Sequence, residues 1–165
     1  MPTPKSGAPT LNELRKRGPP VGFHFAVSVD GVSGTGEGAF AEVSGLDAER
    51  GVLEIAEGGE NRFSHRVPER AKYGNLVLKR GVLLGAAGLA RWCMNVLEGD
   101  LSQKIQPKTV VVQLLDAEGG TLQSWNFERA WPVKWSVAGL AADKSELAVE
   151  TLELAYASFT RIYTP

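Results

Sequence analysis

One cysteine and two histidines are all this chain holds of the side chains that most often bind metals or act as nucleophile and base. With Cys93 alone there is no internal disulfide and no cysteine-based zinc cluster, and the residue reads as a small buried apolar side chain. His24 falls in a strand-like run and His65 in an irregular one, with no His-x-x-x-His spacing, so a metal site would need carboxylates to complete it. No Gly-x-Ser-x-Gly elbow marks a serine nucleophile. No window approaches the ~18 consecutive apolar residues of a membrane-spanning helix, and direct membrane insertion is not expected. The N-terminal run MPTPKSGAPTLNELRKRGPP lacks the apolar centre of a secretory signal, so assembly in the cytoplasm is expected. A net charge of -1 lacks the basic excess of a dedicated nucleic-acid binder. These absences point away from an enzyme and imply no cofactor and no metal.

What is present suits one folded unit. A chain of 165 residues is long enough to remove roughly 70% of its unfolded surface from water. Residues 1–20, rich in Pro, Gly and Lys/Arg with one helical turn at Leu11–Arg17, read as a flexible N-terminal arm, and 21–165 as a single domain. Phe23, Phe25, Val27 and Val29 alternate with His24, Ala26, Ser28 and Asp30, the period of a half-buried strand. Gly31–Gly38 holds four glycines in eight residues and links that strand to the next, at about 39–44. Its Gly34-Thr35-Gly36-Glu37-Gly38 cluster lacks the Lys and the following helix that a phosphate loop needs, so it reads as a hairpin loop.

Val52–Glu57 alternates again, and 75–84 returns to strand character. Between them, Gly58–Gly74 shows no sustained period and reads as a long loop. Leu89, Trp92, Cys93, Val96 and Leu97 fall at i, i+3, i+4, i+7 and i+8, which gives a helix with one apolar stripe, stopped by Gly99 and suited to covering a sheet face. Thr109–Leu115 is β-branched, Asp116–Gly120 is a turn, and Thr121–Trp131 is the returning strand, with Trp125, Phe127 and Trp131 on one parity. The last strand spans about 147–162, with Leu152, Leu154 and Tyr156 on one face. Leu147 and Val149 have the opposite parity, which implies a bulge or a strand end covered by a neighbouring subunit. Trp92, Trp125, Trp131 and Trp135 read as core or interface anchors.

Charge is unevenly placed. From Arg62 to Arg80 six cations (Arg62, Arg66, Arg70, Lys72, Lys79, Arg80) face one anion, Glu69, a local excess of +5. The compensating acids lie largely elsewhere, among them Glu42, Asp47, Glu49, Glu54, Glu57 and Glu150. Such a split suits surfaces that meet copies of the same chain. Interleaved with Phe63 and Tyr73, the basic segment could also bind nucleic acid or another acidic partner, so a soluble binding module is the competing reading. Glu150 and Glu153 lie three apart on a strand and face opposite ways, so they cannot converge on one bond; a solvated or inter-subunit role is expected for them.

Several segments resemble the tail tube proteins of phages and the tube proteins of phage-tail-like contractile injection systems. They are the entry Gly18–Phe25, Val43–Leu46, the Leu76–Val82 strand and, most specifically, Trp131-Pro132-Val133-Lys134-Trp135 and Glu150–Leu154; the likeness runs from Pro19 to about Ile162. It implies a mainly β fold of two packed antiparallel sheets, sandwich- or barrel-like, with one flanking α-helix, similar also to the type VI secretion tube subunit. It further implies a self-assembling structural subunit: homohexameric rings closed by joined sheet edges into an inner β-barrel, stacked into a hollow tube. Partners implied are the sheath protein, baseplate or spike proteins, a terminator, and cargo effector or DNA in the lumen. The particle would be a phage tail or an extracellular or cytoplasmic contractile injection system. Closure would also pair strand edges that otherwise invite aggregation. On this resemblance Arg62, Arg66, Arg70, Lys72, Glu150 and Glu153 are the candidate subunit or ring-stacking contacts.

Overall fold

The computed structural model describes residues 23–32, 39–56, 58–59, 64–81, 87–100, 104–138 and 148–162. The expected N-terminal arm, the 34–38 glycine cluster and Arg62 lie outside them. The described elements in chain order are β1 (His24–Val29), β2 (Ala39–Phe40), β3 (Glu42–Ser44), β4 (Ala48–Ile55), β5 (His65–Tyr73), β6 (Leu76–Gly81), α1 (Ala87–Leu97), β7 (Lys108–Leu115), β8 (Thr121–Ala138), β9 (Val149–Ala155) and β10 (Ser158–Ile162). Every strand pairing is antiparallel.

The sheet runs β2-β1-β7-β8-β9-β6-β3, with β10 also on β8. It bends into two leaves because β8 serves both. Residues up to Ala130 pair with β7 on one side and β10 on the other, whereas Trp131–Ala138 pair with β9. The bend has a local cause. Between Lys108↔Ala130 and Val110↔Phe127, β7 advances two residues while β8 advances three, and Arg129 takes up the extra residue at φ 55°. A non-glycine residue in the left-handed region is uncommon and marks a bulge that re-aims the chain. A second shift, between Pro132 and Lys134, comes immediately after it. Pro132 is tolerated in the strand because β7 no longer accompanies β8 beyond Ala130, so a missing N–H costs no ladder bond on that side.

The core lies between the leaves. Val27, Val29, Val110, Val112 and Phe127 from one leaf meet Leu76, Leu78, Leu152 and Leu154 from the other, and Leu89, Trp92 and Cys93 of α1 close it. The helix stripe read from the sequence is therefore the packed face, except that Leu97 ends it exposed. The Asp116–Gly120 turn forms as expected, with Asp116 Oδ1 accepting from the Glu118 and Gly120 amides and Gly119 at φ 85°.

Three expectations change. Gly58–Gly74 is no loop through its second half, because His65–Tyr73 is β5, paired with β4 in a separate two-stranded sheet. Along it Arg66, Pro68, Arg70 and Lys72 alternate with His65, Val67, Glu69 and Ala71, a mixture that carries no sustained hydrophobic period to read. The last strand is two strands, broken at Tyr156–Ala157, where the Ala157 amide donates to the Glu128 carbonyl. The third narrows: β9 holds no bulge, and Val149 is 38% exposed on the parity opposite Leu152 and Leu154, which leaves the strand-end alternative standing. Glu150, Leu152 and Leu154 are all buried, and the inward position at the strand's start is filled by a glutamate.

Candidate functional site

The β4–β5 hairpin stands apart from the sandwich. Among the described residues its two strands pair only with each other. Cross-strand partners share a face, and the faces differ in chemistry. Leu53↔Val67 and Ile55↔His65 form one, while Val52↔Pro68, Glu54↔Arg66 and Glu49↔Lys72 form the other, to which Arg70 also belongs by alternation. Leu53, Ile55 and Val67 are 50%, 46% and 40% exposed, far more than an isolated subunit gains from. Of the charged residues only Arg66 has a described ion pair within the hairpin, its Nε 3.5 Å from Glu54 Oε1, with both side chains mostly in solvent. The outer part of the hairpin therefore gathers Leu53, Ile55 and Val67 on a face shared with His65, Glu69 and, nearer the root, Arg50, while the opposite face carries Arg66, Arg70 and Lys72 beside Glu49 and Glu54. The bulge falls at Gly51, where an added Cβ would require the exposed Glu69 carboxylate to swing aside.

The hairpin root is anchored by rings. Tyr73, the last residue of β5, sits 5.7 Å from both Tyr156 and Phe159, and Phe127 stacks 5.6 Å from Phe159. The Tyr156 hydroxyl donates to the Gly45 carbonyl at 3.1 Å. Gly45 must be glycine, because it holds φ 82° and a Cβ would run into the Asn75 carbonyl oxygen. Burial, with Asp47 and then Tyr73 adding to it, pushes the Tyr156 hydroxyl up to about 12.

The expected contact residues are not one surface. Arg66, Arg70 and Lys72 share the hairpin's basic face. Glu150 is instead inside the sandwich, where Arg80 Nε donates to its Oε2 at 2.5 Å and Trp135 Nε1 to its Oε1 at 2.6 Å. Arg80 is only 2% exposed, with its guanidinium 5.1 Å over the Phe40 ring. Glu150 is thus not the solvated residue that its charge suggests. Buried ions persist only when paired and hydrogen-bonded, and both conditions are met here. Burial first, and the Glu150 charge second, push the nearby Cys93 thiol up to about 12. Glu153 points to the opposite face, 3.4 Å from Lys134 Nζ. The sequence held a clue to the Arg80–Glu150 pair: a charge of each sign on a strand position of core parity.

Neither carboxylate reaches the other. Among the described residues no group of three or more His, Cys, Asp or Glu is placed to hold a metal ion. A cleft of about 520 Å³ beside α1 gathers Trp92, Asn95, Asp100, Lys104 and Lys108, with no histidine, serine or cysteine in its lining. No helix among the described residues is long and apolar enough to cross a membrane. The surfaces that stand out are strand edges and an exposed hairpin, the elements of assembly.

A family model for the T4-like virus tail tube protein gp19 matches residues 21–160. The chain belongs to this tail tube family. No curated protein matches it in sequence. Among solved structures it is similar to a chain of the anti-feeding prophage (AFP) baseplate, 6-fold symmetrised, with 26% identity, TM-score 0.66, and coverage of 88% of this chain and 96% of that one. It shares 21% identity and TM-score 0.72 with a chain of the PVC extracellular contractile injection system sheath-tube complex, over 95% of this chain and 100% of that one. Hcp1 from Salmonella typhimurium has the same fold at 14% identity, TM-score 0.55, covering 87% of each chain. The two-leaf sheet with its flanking helix is the tail tube fold, mainly β and antiparallel, as the resemblance implied.

Proposed function

We propose that the chain is the structural subunit of the inner tube of a contractile tail or injection particle, closing into six-membered rings that stack into a hollow conduit. One observation carries this reading. In the leaf β1-β7-β8-β10 both outer strands are poorly covered: β2 meets β1 only at Phe25 and Ala26, and β10 pairs with no described strand besides β8. Exposed strand edges are templates for further strands, and β10 of one copy against β1 of the next continues the ladder without an end once the ring closes. The 6-fold symmetrised assembly of a relative supports six as the number of copies.

The hairpin then serves the joints between subunits or rings. Its apolar face would be covered by a neighbouring copy, and Arg66, Arg70 and Lys72 would meet acidic residues there, as would Arg62. Glu153 is on the outward side of β9 and remains a contact candidate, whereas Glu150 acts within the subunit. Relatives seen with sheath, baseplate, terminating cap and sheath/tube terminator support those partner classes for this chain. Work is done by rigidity and conduction, without substrate turnover.

Negative-stain microscopy of the purified chain tests the reading: rings or tubes are expected. A strict monomer that instead binds nucleic acid with steep salt dependence would replace it with a binding module. Charge reversal at Arg66 and Arg70 should abolish tube growth while leaving the subunit folded, and unchanged tube lengths would remove the hairpin from the joint.

A further inference from the structure

The β4–β5 hairpin leaves the second leaf by two short legs, residues 45–47 and 74–75, whereas β10 is an edge strand of the first leaf. No ladder joins them, yet three rings do. Tyr73 ends the hairpin opposite Ala48 and reaches the two rings that flank the β9–β10 break, Tyr156 and Phe159, each 5.7 Å away. Tyr156 also holds both legs. Its ring meets Tyr73 at the start of one, and its hydroxyl donates to the Gly45 carbonyl on the other at 3.1 Å. The legs touch backbone to backbone, since a Cβ on Gly45 would strike the Asn75 carbonyl oxygen. A hairpin gripped in this way cannot tilt without drawing Tyr73 away from Phe159.

That ring matters most to β10. The strand is five residues long, pairs among the described strands only with β8, and leaves Thr160, Arg161 and Ile162 exposed. Phe159 is its one aromatic residue. It stacks on Phe127 at 5.6 Å and 26°, and it takes the Tyr73 ring edge-on at 75°. Phe127 is fully buried and fixed, so the movable half of the seat for Phe159 is Tyr73, which the hairpin carries. Resting on the ring reading above, we propose that Tyr73, Tyr156 and Phe159 are positioning residues that couple the two contacts a subunit makes with further copies. Covering Leu53, Ile55 and Val67 on one copy orders the β10 edge that pairs with another. Such coupling is reciprocal, so a paired β10 steadies the hairpin to the same degree. A two-stranded hairpin is marginally stable in water, and an edge strand held on one side opens locally at low cost. Joined through the rings, ordering one lowers the cost of ordering the other. The edge then becomes a good template only in a subunit whose hairpin is already seated, which guards a free subunit against pairing in the wrong place.

Hydrogen exchange of the full chain in dilute solution tests the joint without needing assembly. Tyr73→Leu keeps an apolar side chain at the hairpin root but removes the ring. Exchange across 157–162 should quicken by roughly three- to ten-fold, while β1 and β7 exchange as in the wild type. Phe159→Leu should do the same to residues 66–72, and Tyr73→Phe should restore wild-type exchange in β10. Unchanged exchange in β10 would make hairpin and edge independent, and equal quickening throughout would make Tyr73 an ordinary packing residue; either result overturns the proposal. In assembly, the concentration at which rings appear should rise for Tyr73→Leu by a similar factor, although no residue of β1 or β10 has changed, and return with Tyr73→Phe. An unaltered threshold also overturns it. If the wild-type chain makes neither rings nor tubes, the assembly reading itself has failed, and the exchange result alone then decides whether the rings join hairpin and edge.

Discussion

The sandwich and the β4–β5 hairpin are both antiparallel sheet, yet they meet opposite demands. In the sandwich an arginine and a glutamate are buried and held by each other, Trp135 and the Phe40 ring. In the hairpin, leucine, isoleucine and valine are left in water beside arginines and lysine. Each inversion of the usual partition has a different cause. The buried charges are satisfied within one subunit, so they fix register at a site where a one-residue slip would expose Leu152 and Leu154 and strand Glu150. The exposed apolar residues are not satisfied within one subunit, and a lone two-stranded hairpin is marginally stable in water. What distinguishes the regions is whether one copy of the chain is enough.

The comparison breaks most sharply at Glu150. Glu150→Ala leaves Arg80 buried without its carboxylate and should cost about 3–5 kcal/mol in urea unfolding of the dissociated subunit. A paired Arg80→Met, Glu150→Leu replacement should recover most of that loss. If Glu150→Ala alone is nearly neutral, the pair does not organise the sandwich.

Alkali should reach the sandwich before the hairpin. Cys93 and Tyr156 both have folded pKa values of about 12, raised from ordinary values of 9.0 and 10.0. A raised folded value means the folded state holds its proton more tightly. The stabilisation is complete below the ordinary pKa and is lost as pH climbs to the folded one. Subunit stability should therefore be insensitive to these groups below about pH 9 and fall between about 9 and 12. Cys93→Ala should flatten the onset of that fall; an unchanged profile would remove the thiol from it.

Smaller effects refine the boundary between the regions. Tyr156→Phe removes the hydroxyl bond to Gly45 at the hairpin root and should cost about 1 kcal/mol, read by the same unfolding experiment. Smallest of all, Leu53→Ser with Val67→Ser should shift monomer stability by no more than about 0.5 kcal/mol per site, as expected of exposed positions, while markedly reducing tube formation by sedimentation. A stable monomer that still forms tubes normally would mean that this face is not covered in the assembly.

Sequence reading succeeded where one subunit supplies its own burial. β1 and α1 announce themselves by period, because alternate or every third and fourth side chains enter a core made from the same chain, and β7 by its β-branched run. β5 was missed for the converse reason: Arg66, Pro68 and Arg70 alternate with His65, Val67 and Glu69, which the described part of the subunit leaves exposed, and only Ala71 and Tyr73 at the root are half-buried. The parity of Trp125, Phe127 and Trp131 also misled, because the left-handed Arg129 inserts one residue between Phe127 and Ala130 relative to β7 and turns Ala130–Pro132 the other way, until the shift before Lys134 returns odd positions such as Trp135 to the core side. No local preference forecasts an arginine in that conformation.

By itself, then, the amino-acid order determined the mainly β class, the amphipathic helix α1, most strand positions and the tail tube family, since these depend on local period and on short recurring segments. The tertiary structure decided which charges face inward and where β8 passes from one leaf to the other. Those depend on which strands lie side by side, and pairing between residues as distant as Arg80 and Glu150 is written in no local stretch of the chain.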